Sequence, residues 1–162
     1  MSVFTRTALA AALLAAAPMA FAATDTDTMT VSIEIENACT VDAQDMAFGA
    51  QSDLSAGLNS SADVTVDCTN QGAINVAFSA GSSGDFANRT MQGPSGATID
   101  YQLYDAASGG QVLGDGTNST ATFSGTSTGT TVDTFTVYGI VPAQGAKPVG
   151  NYSDSITATL TY

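Results

Sequence analysis

Residues 29–36 read Met-Thr-Val-Ser-Ile-Glu-Ile-Glu, a strict alternation of apolar and polar side chains. A period of two is the signature of a β-strand with one apolar face. Met29, Val31, Ile33 and Ile35 fall on that face, and Thr30, Ser32 and Glu34 fall on the other. The position of the segment matters more than its pattern. It follows an expected secretion signal and stands just ahead of Cys39, at the start of a mature chain, where strands fray unless something binds them. An apolar strand carried as a leader is expected to serve another molecule.

The first 22 residues read as a secretory signal, with Arg6 in the positive region, Ala8 to Ala17 as a short apolar stretch and Ala20-Phe21-Ala22 as the cleavage site. The apolar stretch is too short to span a bilayer. Cleavage would leave a mature chain from Ala23, about one domain in length. Only Cys39 and Cys68 are available for a disulfide, which is the expected state of two cysteines in an exported chain. A metal site is the alternative, but the chain has 0 histidines to complete one. All 15 acidic residues lie in the mature part, against Arg89 and Lys147 alone, a net charge of −13. That balance argues against nucleic acid and anionic membrane surfaces as partners.

Helix signals are nearly absent beyond the signal. Apolar-alternating segments are expected as strands over 62–68, 74–80, 98–104, 120–123, 131–140 and 155–162, with turn residues between them. Their spacing favours an antiparallel β-sandwich. Gly114–Thr131 resembles a flexible linker, interrupted by Thr122 and Phe123. In the terminal segment Ile156, Ala158, Leu160 and Tyr162 alternate with polar residues. If the leader belongs to another molecule, the sandwich is expected to end one strand short, with this last strand presenting an unpaired edge.

Catalysis is not expected. No histidine can act as general acid or base, and no serine sits in a nucleophile elbow. Asp100 and Asp105 flank Tyr101 and Tyr104 and suggest a carboxylate pair for glycoside hydrolysis, but a surface turn beside core tyrosines on a strand is the expected reading. Asp25-Thr26-Asp27 and Asp42–Asp45 lack the spacing of a calcium loop and read as solvated. Arg89 is expected either to pair with an acidic neighbour or to be exposed. Tyr152, in Gly150-Asn151-Tyr152-Ser153-Asp154, reads as a corner residue whose hydroxyl binds backbone. Tyr138 is expected in the core.

Several pieces, taken in order, match a known family. They are Cys39-Thr40-Val41 followed by Phe48-Gly49; Val66-Asp67-Cys68-Thr69; Arg89-Thr90-Met91; Ile99-Asp100-Tyr101-Gln102-Leu103-Tyr104; Val137-Tyr138-Gly139-Ile140; and Gly150 to Asp154 before the terminal strand. The chain resembles the spore coat protein U domain family, which includes the major subunits of archaic chaperone–usher pili. One departure is Val112-Leu113 ahead of Gly114-Asp115-Gly116, where many members carry a tryptophan and this chain has none.

The resemblance implies an all-β fold: an incomplete immunoglobulin-like sandwich lacking its last strand, completed by an N-terminal donor strand from another subunit. It implies three parts, namely residues 1–22 as signal, 23–36 as donor extension and 37–162 as the pilin domain. The implied partners are a periplasmic chaperone, an outer-membrane usher and identical or related subunits, joined by strand addition. The implied location is a cell-surface pilus reached through the periplasm, with no cofactor. The expected donor residues are Met29, Val31, Ile33 and Ile35; the expected acceptor edge is Ile156, Ala158, Leu160 and Tyr162. A tip adhesin and a spore or cell-surface coat protein are the alternatives. Insertion of the leader into its own domain is disfavoured. In family folds the donor runs parallel to the first domain strand, and Asn37-Ala38 is too short for the crossover that parallel neighbours need.

Overall fold

A computed structural model describes residues 21–162. The expected signal over residues 1–22 falls almost wholly outside the described residues. The chain divides into two units, Met1–Glu34 and Ile35–Tyr162. In the first, the described residues 21–34 contain no strand or helix. A ladder requires a hydrogen-bonded neighbour, and none pairs with this segment among the described residues.

The second unit is built from eight strands: β1 (Cys39–Ala43), β2 (Leu58–Cys68), β3 (Gln71–Phe78), β4 (Arg89–Gln92), β5 (Thr98–Tyr104), β6 (Phe123–Thr128), β7 (Asp133–Val141) and β8 (Ala158–Thr161). One sheet has the order β1-β2-β7-β5-β4 and the other β6-β3-β8, and every strand pairing is antiparallel. Among the described residues the only helical elements are two single 3₁₀ turns, at 81–83 and 94–96. No described helix is long and apolar enough to cross a membrane.

Alternation places the core. Ala62, Val64, Val66 and Cys68 of β2 face inward, as do Ile74, Val76 and Phe78 of β3 and Val137 and Val141 of β7. Phe135 of β7 stacks on Phe123 of β6 at 5.0 Å between centroids, and Phe78 of β3 meets Phe123 edge-on at 5.8 Å. This aromatic column joins the two sheets, each contact adding about 0.5–1.5 kcal/mol beyond burial. Leu113, just ahead of the Gly-Asp-Gly turn, is fully buried.

Four sequence expectations change. Strand β6 runs over Phe123–Thr128, not 120–123, so the linker-like stretch contributes a full sheet member. Its sequence is polar because its main-chain ladder with β3 holds it, and only Phe123 and Ser127 are required inside. The terminal strand is shorter than 155–162, because regular pairing with β3 begins at Ala158. Tyr138 lies on the outer face of its sheet, since Val137, Gly139 and Val141 take the inward positions of β7. Arg89 is neither paired with a carboxylate nor exposed. It is fully buried, and its hydrogen-bond acceptors are the Ser79 and Leu113 carbonyl oxygens and Gln102 Oε1.

Cys39 and Cys68 form a disulfide, with Cα atoms 4.1 Å apart across the β1–β2 register. The link holds edge strand β1 to β2, its one ladder partner among the described residues. Closing a loop with a sequence separation of 29 stabilises by about 3–4 kcal/mol on the chain-entropy account. Replacing both cysteines with serine should therefore lower the unfolding free energy read from guanidinium denaturation by that amount, with a lower midpoint. An unchanged midpoint would show that β1 is held by the ladder alone.

Candidate functional site

A cleft of about 500 Å³ opens between the two sheets. The end of β1 and the chain after it, residues 43–48, form one side, and the chain leading into β8 together with its first residue, residues 152–158, forms the other. Its floor is apolar: Val64, Phe78, Leu103 and Val137 from four strands, with Met46, Phe48 and Ile156 at the sides. Gly139 makes the placement of Met46 and Phe48 possible, because a Cβ there would strike both side chains.

The cleft lies between two strand edges that have no partner among the described residues. Strand β8 pairs only with β3, and β1 only with β2. Hydrogen-bonded and non-hydrogen-bonded pairs alternate along antiparallel strands. The Ser79 amide donates to the Thr157 carbonyl oxygen at 2.9 Å, and this fixes the phase of β8. Thr159 and Thr161 therefore turn their main-chain groups to β3, and Ile156, Ala158 and Leu160 turn theirs to the open edge. On β1 the Gln44 amide donates to the Asp63 carbonyl oxygen at 3.0 Å and the Thr69 amide to that of Ala38 at 2.9 Å. The same phase argument leaves the main-chain groups of Cys39, Val41 and Ala43 on the open edge. Two free edges thus flank one apolar cleft, which is the geometry an added strand requires.

The expected acceptor residues distribute along β8. Ile156 and Ala158 line the cleft. Leu160 is half-buried against the core, opposite Val76. Tyr162 lies beyond the strand and is 58% exposed. Met29, Val31 and Ile33 are each at least 86% exposed, and Ile35 is 74% exposed. Four large apolar side chains in water on one period-2 stripe are an unsatisfied surface.

The rim near β8 is polar and rigidly held. Asp154 Oδ1 accepts from the Ser82 amide at 2.9 Å, the Ser82 hydroxyl at 2.6 Å and the Ser155 amide at 2.8 Å. Its Oδ2 accepts the Tyr101 hydroxyl at 2.7 Å. Partial burial alone would raise the Asp154 pKa, but the bonds from Ser82, Tyr101 and Ser155 outweigh it and hold the carboxyl below its ordinary value. Burial, and then the bond to Asp154, push the Tyr101 phenol well above its ordinary value, so it remains a donor. The Tyr152 hydroxyl donates to the Pro148 carbonyl oxygen at 2.8 Å, the corner role expected of it.

A depressed carboxyl pKa contributes stability that is complete above the unfolded value and is lost as pH falls through the folded one. Asp154→Asn should therefore lower the denaturant midpoint at pH 7, with the gap to the parent narrowing as pH falls below the ordinary carboxylate value and through the depressed folded one. A gap that stays constant down to pH 2 would show that Asp154 acts by packing and not by charge.

Sequence reasoning missed Met46, Phe48 and the Tyr101–Asp154 bond. The first two carry no strand periodicity, and the bond spans a sequence separation of 53. Asp100 and Asp105 form no paired site: Asp105 Oδ1 closes its own turn on the Gln111 amide, and Asp100 is an exposed strand residue tied through its backbone to Gln144. No cluster of metal-ligating side chains occurs among the described residues.

The Spore Coat Protein U domain profile matches residues 25–159. The chain belongs to that family. No curated protein matches the chain. Among solved structures, the spore coat protein U chain is similar to the CsuC–CsuE chaperone–tip adhesion subunit pre-assembly complex from archaic chaperone–usher Csu pili of Acinetobacter baumannii. The TM-score is 0.58 at 18% identity, covering 79% of this chain and 40% of that one. A chaperone–tip adhesin complex of CFA/I fimbriae aligns with a TM-score of 0.43 at 12% identity, over 76% of this chain and 42% of that one. The chain thus spans less than half the length of either matched chain.

Proposed function

We propose that this spore coat protein U domain is a structural subunit of an extracellular pilus, assembled through a chaperone–usher pathway by donor-strand exchange. The carrying observation is the apolar cleft between the free edges of β1 and β8. Family membership and the fold shared with a pilus subunit complex support the same reading. Residues 1–22 direct export and residues 23–36 form the donor extension. Residues 37–162 form the acceptor domain, without cofactor or catalytic centre.

In this reading a periplasmic chaperone covers the cleft first, and at the outer-membrane usher the leader of the next subunit replaces it. Met29, Val31, Ile33 and Ile35 enter the cleft. Their full burial contributes about 1.5–3 kcal/mol each, on the order of 6–12 kcal/mol before the cost of ordering the leader. The main-chain groups of Ile156, Ala158 and Leu160 pair with the incoming strand, and Tyr162 closes the end. A head-to-tail contact that does not close on itself yields an open fibre, suited to adhesion and biofilm formation.

The test is electron microscopy of cells with and without the gene, together with purification of the periplasmic subunit. Fibres that depend on the gene, and a subunit that co-purifies with a chaperone, are the expected results. A stable, chaperone-free monomer and no change in surface fibres would overturn the proposal.

A further inference from the structure

The segment that joins the leader to the domain is not a loose tether. The Ala38 amide donates to Thr69 Oγ1 at 3.1 Å, and the Thr69 amide returns a bond to the Ala38 carbonyl oxygen at 2.9 Å. The Asn70 amide donates to Asn37 Oδ1 at 3.1 Å, and Asn70 Nδ2 donates to the Glu36 carbonyl oxygen at 3.1 Å. Three consecutive residues, Glu36, Asn37 and Ala38, are therefore each bonded to the turn between β2 and β3. The turn is supported from both sides. Asn37 lies over Gly72, where a Cβ would come within 2.9 Å of Asn37 Nδ2. Gly129, at φ +70°, brings the β6–β7 turn so close that a Cβ would strike the Asn70 backbone.

We infer that Asn70, with Asn37, is a clamp that stiffens the joint between consecutive subunits. The inference rests on the donor-strand reading of residues 29–36. In that reading the last apolar donor residue is Ile35, and the first clamped group is the carbonyl of Glu36, the very next residue. No free residue separates a strand held in one subunit from backbone held in the following one. Free linkers bend as random coils, and linkers without free residues transmit orientation. The fibre's bending stiffness thus resides in a side-chain amide at a turn, remote from the cleft that gives the fibre its strength. Asn70 is a positioning residue here.

The test compares pili sheared from cells bearing the parent gene, Asn70→Asp or Asn59→Asp. Aspartate keeps the size of Asn70 but replaces the Nδ2 donor with an oxygen facing the Glu36 carbonyl. Asn59 is an exposed β2 residue and serves as the control. Bending is measured from fibre contours in electron micrographs. Asn70→Asp pili should form with a persistence length roughly halved, and Asn59→Asp pili should match the parent. Equal persistence lengths for Asn70→Asp and the parent would overturn the inference. Amide hydrogen exchange on parent pili tests it without any variant. The Ala38 and Asn70 amides should be protected as strongly as the β1–β2 ladder, and free exchange at both would also overturn it. Absence of fibres from the parent strain would instead count against the donor-strand reading itself.

Discussion

Ile33→Asp is expected to abolish fibre assembly, with no surface fibres counted where the parent assembly system produces them. Ile33 is 87% exposed on the described leader, so the substitution leaves the fold of the acceptor domain untouched. Its cost falls on assembly. Period-2 geometry sends Met29, Val31, Ile33 and Ile35 to one face of an inserted strand. A carboxylate at the third position would enter a cleft floored by Val64, Phe78, Leu103 and Val137. An unpaired charge there costs at least several kcal/mol, or binds a proton instead. That loss is comparable with the roughly 6–12 kcal/mol gross gain of the whole stripe. Ser32→Asp places the same charge one residue away on the solvated face and should leave fibre numbers near the parent's. The Ile33→Asp subunit should still bind its chaperone, because its own cleft is intact. Normal fibres from Ile33→Asp, or loss confined to Ser32→Asp, would show that the facing is reversed or that strand donation is not the mechanism.

The parts of this fold that were legible in the sequence are those where a side chain had to be apolar at every second position. Strands β2, β3, β5 and β7 announce themselves through Val64-Val66, Ile74-Val76-Phe78, Tyr101-Leu103 and Val137, all of them buried. Strand β6 does not, because its place is held by main-chain pairing with β3 and its inward positions need only one aromatic and one small residue, Phe123 and Ser127. Strand β4 begins at an arginine, a residue whose charge argues for the surface until its acceptors are known. The apolar stripe of the leader and the alternation before Tyr162 are the sequence features that point to a strand-deficient sandwich. The cleft itself was not, because its sides include Met46 and Phe48, which follow β1 without periodicity and are placed by the gap at Gly139. Long-range polar contacts such as Tyr101–Asp154 leave no local signal, since neither residue's neighbours change to accommodate the other.

Arg89→Met is expected to destabilise the subunit by about 3–5 kcal/mol, the largest loss from any single side chain outside the apolar core. Buried charged networks can often be replaced by apolar residues at little cost when both partners are changed together. Here they cannot, because two of the acceptors belong to the main chain. Arg89 Nη2 donates to the Ser79 and Leu113 carbonyl oxygens, each at 2.7 Å, and Nη1 donates to Gln102 Oε1 at 2.6 Å. Phe86 covers the guanidinium at 5.4 Å. Burial depresses the Arg89 pKa, partly offset by Tyr101 and Asp154, yet a guanidinium stays charged across the working range. Methionine would fill part of the volume, leave the Ser79 and Leu113 carbonyls without the guanidinium, and leave Gln102 Oε1 with the Leu103 amide as its remaining donor. Arg89→Lys should also fail to restore stability, because one ammonium cannot reproduce the planar fork toward three separated acceptors. The damage should reach the cleft. Ser79, whose carbonyl Arg89 holds, also receives the Thr157 amide at Oγ and donates its own amide to the Thr157 carbonyl. That pair fixes the entry of β8, whose outer edge the incoming strand would use. Both variants should therefore show a lower guanidinium midpoint, followed by tyrosine fluorescence, and fewer fibres per cell. An unfolding free energy within about 1 kcal/mol of the parent's for Arg89→Met would mean that water reaches these carbonyls, and that Arg89 does not organise the acceptor edge.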